Sequence, residues 1–285
     1  MPKIFEVYNS ALKEGKEFNI LSSDLRVLIS FDMGFASPID TLLYKDKEMN
    51  ESQIKVFKSQ FERLKKGEPV EYIINEATFL DLKLFVDKNV LIPRMETSEL
   101  IANISERIYD YFDPRNYLVV ADIGTGSGAI AICLKHMYKN WLVSASDISS
   151  KAIEIARKNA TKYDLPISFY QGDSLSPFIE KNMNLDIIVS NPPYIVNRKE
   201  VQPSVSSYEP ASALYLDFSS SVYEKILSNV SKVKKGSLLI AFEIGYDLKE
   251  YIQDLSNKYL NKYEYKIEFI KDLNGLDRFA FIFLE

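Results

Sequence analysis

The sequence predicts an α/β protein: a small all-helical N-terminal domain, a β-hairpin, and a larger domain whose mostly parallel sheet is covered by helices and has an antiparallel last strand. Three observations carry that expectation. Residues 1 to about 75 place apolar side chains at helical spacing, residues 80–92 switch to alternation, and from about residue 97 apolar strands alternate with helical segments. The boundaries fall at 1–76, 77–93 and 94–285.

The helical part comes first. Ile4, Val7, Tyr8, Ala11 and Leu12 follow the i, i+3, i+4, i+7, i+8 pattern of an amphipathic helix. Ser22, Ser23 and Asp24 can cap a second helix carrying Leu25, Leu28 and Ile29, and Pro38 starts a short third one with Leu42 and Leu43. Asn50, with Gln53 three residues on, reads as a capping box. The helix it opens shows Ile54, Phe57, Phe61 and Leu64 on one side, and Gly67 is placed to stop it. Leu80, Leu82, Leu84 and Val86 then alternate with Asp81 and Lys83, Asp87-Lys88-Asn89 makes a turn, and Val90-Leu91-Ile92 returns as the second arm of a hairpin.

Five strand segments follow at 117–123, 143–148, 167–170, 186–190 and 238–244, with helical segments between them, which implies a parallel sheet covered on both faces. The last two, 265–270 and 278–284, are separated only by the turn region Asp272-Leu273-Asn274-Gly275. That link is too short for a parallel crossover, so this pair is antiparallel.

Composition narrows the function classes. A chain of 285 residues with 46% hydrophobic and 26% charged residues can bury a sizeable core. No apolar run approaches the roughly 20 residues of a membrane span, and the start, MPKIFEVYNS, interleaves charges where a signal peptide would be apolar; a cytoplasmic protein without membrane partners is expected. A single Cys133 and a single His136 leave no Cys/His cluster, so no metal is expected. Cys133 belongs to an apolar run and reads as core, and His136 as a surface residue near a helix end. With 40 acidic against 35 basic residues the net charge is −5, which gives no strong nucleic-acid signal and favours a protein or small-molecule substrate. Lys65-Lys66 and the lysines within 232–235 read as solvated helix ends.

The first chemical motif is Asp122-Ile123-Gly124-Thr125-Gly126-Ser127-Gly128, between a strand and the helical Ala129-Ile130-Ala131-Ile132. Glycines let the backbone approach a ligand and take positive φ, and the helix N-terminus offers free N–H groups to a nucleotide-type ligand. The spacing differs from the dinucleotide pattern, the third glycine arriving one position early, which argues against NAD. The same glycines would also serve a tight turn with no ligand. The second strand ends at Asp147, 23 residues after Gly124, where a carboxylate can accept hydrogen bonds from ribose hydroxyls or can cap the helix over 149–163. Asp173-Ser174, after the third strand, can meet an adenine amino group or simply form a turn.

The most specific signal is Asn191-Pro192-Pro193-Tyr194 at the end of the fourth strand. Two prolines remove two N–H donors and stiffen the chain, which suits a segment whose carbonyls and side chains must point out of the sheet in a fixed way. With strand order 3-2-1-4-5, this turn and the glycine turn flank one crevice. A planar primary amide is a poor nucleophile. The Asn191 side-chain oxygen and the Pro192 carbonyl can accept its two N–H bonds and hold its nitrogen in line with a sulfonium methyl, while Tyr194 stacks on the amide plane. No strong base is required, since the methylated nitrogen is acidic enough to lose its proton to water.

These motifs, together with Gly67-Glu68-Pro69-Val70-Glu71-Tyr72-Ile73, Leu91-Ile92-Pro93-Arg94-Met95-Glu96-Thr97, Glu209-Pro210, Phe242-Glu243-Ile244-Gly245 and Asp277-Arg278, make the chain resemble the PrmC/HemK family of release-factor glutamine methyltransferases over nearly its whole length. The resemblance implies a Rossmann-like seven-stranded domain using S-adenosylmethionine, which becomes S-adenosylhomocysteine. It also implies a helical domain that helps dock a class I peptide chain release factor, and N5-methylation of the glutamine in that factor's Gly-Gly-Gln loop in support of translation termination. Cofactor roles then fall on Gly124, Thr125, Gly126, Ser127, Gly128, Asp147, Ile148, Asp173, Ser174 and Asn191, and catalytic and substrate roles on Asn191, Pro192, Pro193 and Tyr194. Arg94 and Glu96 either close over the substrate or form an ordinary ion pair anchoring the linker. The sequence departs from the family at Met95 and Ser98, and within 213–218, where a Gly-Gly is usual. A ribosomal-protein glutamine or a DNA adenine amino group is the alternative acceptor, although a DNA enzyme would call for a target-reading domain and a basic channel that the sequence lacks. A monomer is expected.

Overall fold

The computed structural model describes residues 1–113 and 117–285. Over these the chain separates into two compact units, Met1–Glu76 with Val201–Tyr208, and Ala77–Glu200 with Glu209–Glu285.

The first unit is helical. It contains α1 (Ile4–Gly15), α2 (Ser22–Met33), α3 (Asp40–Leu43), α4 (Glu51–Lys65) and α5 (Val70–Ile74). Their apolar stripes bury Ile4, Leu25, Leu28, Ile29, Phe57, Phe61, Leu64, Val70 and Ile73 together. α4 opens with the expected capping box: Gln53 N donates to Asn50 Oδ1 at 2.9 Å and Asn50 N to Gln53 Oε1 at 2.9 Å. α2 opens differently from expectation. Its N-cap is Leu21, no side chain caps it, and the Ser23 hydroxyl donates to Asp24 instead.

The second unit opens on β1 (Glu76–Phe79) paired with β2 (Leu82–Phe85). The hairpin is therefore shifted from the expected one. Its bend lies at Leu80-Asp81, where exposed Leu80 takes φ +53°, so Phe79 rather than Leu80 shares the buried face with Leu82 and Leu84. Asp87 does form a turn, accepting the N–H of Asn89 on its side chain and of Val90 on its carbonyl, but Val90-Leu91-Ile92 forms no strand.

There follow α6 (Met95–Tyr111), β3 (Val119–Ile123), α7 (Ala129–Met137), β4 (Leu142–Asp147), α8 (Ser150–Lys162), β5 (Ser168–Gln171), α9 (Ser176–Glu180) and β6 (Ile187–Ser190). α10 (Pro203–Tyr208) belongs to the first unit, where the Tyr208 hydroxyl donates to Lys66 O at 3.1 Å. Then come α11 (Ala211–Leu214), α12 (Val222–Asn229), β7 (Leu238–Glu243), α13 (Lys249–Leu260), β8 (Tyr265–Lys271) and β9 (Asp277–Leu284). Among the described residues the sheet is seven-stranded, in the order β5-β4-β3-β6-β7-β9-β8, with β9 antiparallel to both neighbours. Both faces are covered, as the continuous apolar strands anticipated. Val120, Ile187 and Val189 pack on one side with Leu100, Ile104 and Leu134, and Ala121, Ile123, Ile188 and Ile240 on the other with Ile226 and Ile252.

The register sets up the site. Ser146, Ile123, Ser190 and Phe242 form one row across β4, β3, β6 and β7. The next residue on each strand, Asp147, Gly124, Asn191 and Glu243, therefore reaches the carboxyl edge at the same level. That edge spans the point where strand order reverses.

Candidate active site

A cavity of about 520 Å³ opens at this edge, lined by the backbone and side chains of both motifs. Of the residues singled out in the sequence, Gly124, Thr125, Gly126, Ser127, Asp147, Ile148, Asp173, Ser174, Asn191, Pro192 and Pro193 line it. Gly128, Arg94, Glu96 and Tyr194 are not among the residues that line it.

The glycine turn is held from below. The N–H groups of Gly124 and Thr125 both donate to Ser146 O, at 2.8 and 3.0 Å, which folds the chain back over β4. Fully buried Asp122 accepts from Thr125 Oγ1 at 2.6 Å and from Ala131 N at 3.2 Å, and burial pushes its carboxyl up to about 7. Gly124 (φ +73°) and Gly126 (φ +55°) have open space where a Cβ would stand, whereas at Gly128 (φ +86°) a Cβ would lie 3.1 Å from that of Ala156. The first two glycines thus leave room beside the cavity, and the third lets α7 approach α8.

Asp147 bridges the two halves of the cofactor end. One oxygen accepts Gly126 N at 2.9 Å and the other Ser149 N at 2.8 Å, while Ser149 itself caps α8 by accepting Ala152 N. Asp147 is therefore not the cap of α8, a place that Ser149 takes, but it ties the start of that helix to the glycine turn. Its carboxyl is raised by burial, against the pull of those backbone N–H groups. Across the cavity Asp173 pairs with Lys225 Nζ at 2.6 Å, a partner on α12 that sequence order did not reveal. Ser174 takes φ +52°, and its Oγ is buried with no hydrogen-bond partner among the described residues. An acceptor-rich floor, open space beside Gly124 and Gly126 and an orphaned hydroxyl fit a nucleoside with ribose hydroxyls near Asp147 and base polar atoms near Ser174.

At the other end, Asn191 Nδ2 donates to Thr97 Oγ1 at 3.0 Å, and Thr97 Oγ1 donates to Glu243 Oε2 at 2.8 Å. Glu243 is fully buried. Burial pushes its carboxyl up to about 7, against the Thr97 hydroxyl and the Arg278 guanidinium, which pull it down. Tyr194 packs partly buried against the core on the α12 side of the sheet, with the Arg278 guanidinium 5.5 Å from its ring. Arg94 forms an ion pair with buried Glu209, which also accepts Ile92 N at 3.2 Å. The partner of Arg94 is thus Glu209 and not Glu96, and Glu209 opens the segment whose Pro210, Ala213 and Tyr215 line the cavity.

Three residues bonded to the site's motifs or linker carried no role in the sequence reading. Thr97 is an ordinary helix residue by type, and only the fold brings it to Asn191. Glu243 did leave a signal, a charge closing the apolar run Leu238-Leu239-Ile240-Ala241-Phe242. Glu209 left only its place beside Pro210. Cys133 is buried with its thiol pushed up to about 12, the reverse of an activated nucleophile. Among the described residues no helix is long and apolar enough to cross a membrane.

Comparison with known proteins agrees with this geometry. The PrmC N-terminal domain model matches residues 11–74 and the methyltransferase small domain model residues 101–208. The release factor glutamine methyltransferase of Bacillus subtilis is 35% identical over 98% of this chain and 96% of its own length; that of Streptococcus pneumoniae is 35% identical over 95% and 93%. Among solved structures, a Thermus thermophilus 16S rRNA N2 G1207 methyltransferase in complex with AdoMet and guanosine matches with TM-score 0.51 at 16% identity, over 74% of this chain and 49% of that one, a likeness of fold. With a methyltransferase sheet, an Asn-Pro-Pro-Tyr turn at its switch point and such relatives along its whole length, the chain belongs to the release factor glutamine methyltransferase family.

Proposed function

We propose that the protein transfers a methyl group from S-adenosylmethionine to the side-chain amide nitrogen of the glutamine in the Gly-Gly-Gln motif of a class I peptide chain release factor. The observation that carries this reading is the shared row: the glycine turn and Asn191 leave paired neighbouring strands at Ile123 and Ser190, so one cavity receives both. In this reading the loop Gly124, Thr125, Gly126, Ser127 surrounds the cofactor's amino-acid end, Asp147 accepts from the ribose, and the Asp173-Ser174 turn meets the base. Bound S-adenosylmethionine supplies the electrophilic methyl.

The rest is the work of this chain's residues. Asn191 Oδ1 and the Pro192 carbonyl accept the two N–H bonds of the incoming amide, orient its nitrogen and favour the positive charge that develops there. Pro192 and Pro193 narrow the mouth and keep water from the acceptor. The helical residues 1–76 are the substrate-docking domain, and the protein works in the cytoplasm.

The test is a transfer assay with methyl-labelled S-adenosylmethionine and purified release factor, beside a factor whose Gly-Gly-Gln glutamine is replaced. Label is expected on the first factor alone. Asn191→Ala is expected to lower turnover by about 10²–10³. Equal labelling of both factors would overturn the assignment of the acceptor.

A further inference from the structure

We propose that Thr97 and Glu243 are positioning residues: a buried carboxyl that, through one hydroxyl, decides which end of the Asn191 amide faces the acceptor. The inference rests on the amide-methylating reading above and extends it to groups that act through Asn191.

The two ends of an asparagine amide are nearly equal in size and opposite in hydrogen-bonding sense. Sterics alone therefore leave Asn191 free to present either its oxygen or its NH₂ to the cavity. Only the oxygen can accept an N–H of a substrate amide. The structure supplies a directional constraint instead. A carboxylate can only accept, so the single proton of the Thr97 hydroxyl is committed to Glu243 Oε2 at 2.8 Å. Thr97 Oγ1 is left with lone pairs alone, and it takes the hydrogen bond from Asn191 Nδ2 at 3.0 Å. Asn191 Oδ1 is the end that remains for the cavity, which both Thr97 and Asn191 line.

Two features argue that this chain of bonds is more than packing. Thr97, in the first turn of α6, sends its proton not to a group of its own helix end but to the end of β7, across 146 positions of sequence. A carboxyl at a fully buried strand end following Leu238-Leu239-Ile240-Ala241-Phe242 is costly where an apolar residue would pack as well. The Arg278 guanidinium of β9 faces the same carboxyl and favours its charged form. Glu96 of α6 and Tyr194 also lie near it, and the Tyr223 hydroxyl of α12 holds the Glu243 backbone carbonyl at 2.8 Å.

The experiment is steady-state kinetics of the full chain with S-adenosylmethionine and release factor at pH 8.5, with cofactor Kd and Tm measured alongside. Thr97→Val keeps the shape and removes the proton relay. It is expected to lower kcat about tenfold or more while cofactor Kd and Tm stay within about twofold and a few degrees of wild type. Thr97→Ser restores the hydroxyl and is expected to recover most of that loss. Glu243→Gln, which can donate as well as accept, is expected to lower kcat severalfold with cofactor Kd unmoved, and it decides the matter if Thr97→Val fails to fold. Wild-type kcat in Thr97→Val or in Glu243→Gln would overturn the proposal, as would Thr97→Ser failing as badly as Thr97→Val or losses that follow Tm. A wild-type protein that methylates no amide would defeat the reading of function, and the relay with it; an active wild type with indifferent variants defeats the relay alone.

Discussion

Asp122 shows how a single side chain ties the loop chemistry to solution conditions. It is fully buried, and its Oδ2 accepts from both the loop at Thr125 and the helix at Ala131. Burial raises its carboxyl from 3.8 to about 7, with nearby Asp147 adding to the rise. Between those values the folded chain holds a proton that the unfolded chain has released. The contribution of Asp122 to stability is therefore complete below the lower value and is lost as pH rises through the upper one. Asp122→Asn cannot titrate, so the unfolding free energy of wild type relative to this variant is expected to fall from pH 5 to pH 8, by up to roughly 1.4 kcal/mol per pH unit below the upper value. A difference independent of pH, read by calorimetry, would show that Asp122 is charged in the fold. At this scale the sequence pointed, by type and motif, to the three glycines, Asp147 and Asn191, which the fold gathers at one sheet edge. It hid Thr97, whose role depends on a partner 94 positions away at Asn191, and the Asp173–Lys225 pair, separated by 52.

Elements hold the site through a few buried polar ties. Asn159 on α8 is the clearest. Its Nδ2 donates to Phe85 O at 2.9 Å and Ser127 O at 2.8 Å, and its Oδ1 accepts Phe85 N at 2.7 Å. One fully buried side chain thus joins the hairpin strand β2 to the glycine loop. Asn159→Leu, close in volume, leaves three backbone groups unpaired and is expected to cost about 2–4 kcal/mol in denaturant unfolding and to weaken cofactor binding. Loss of stability without loss of affinity would separate α8 from the site. The elements themselves were largely legible, because continuous apolar strands and helical stripes differ in period. The hairpin was not. Its alternating leucines suit either register, and the deciding feature, Leu80 accepting a left-handed conformation so that Phe79 could be buried, is a tertiary preference invisible in the pattern.

For the whole molecule, the alternation of strand and helix and the short turn before β9 were enough to give a parallel sheet with an antiparallel close, while the order 3-2-1-4-5 was a supposition for the first five strands that the sheet matches. The grouping of Val201–Tyr208 with the N-terminal helices was not readable, since a short segment between two strands carries no local mark of the unit it joins. The whole-molecule claim is that one cavity at the strand-order reversal brings a sulfonium methyl to a glutamine amide. The most direct measurement is mass-spectrometric mapping of the release factor after incubation with the protein and S-adenosylmethionine. One added methyl group on the amide nitrogen of the Gly-Gly-Gln glutamine, absent with Asn191→Ala, is the expected result. A methyl group on any other residue, or on the same glutamine at undiminished level with Asn191→Ala, would contradict the account.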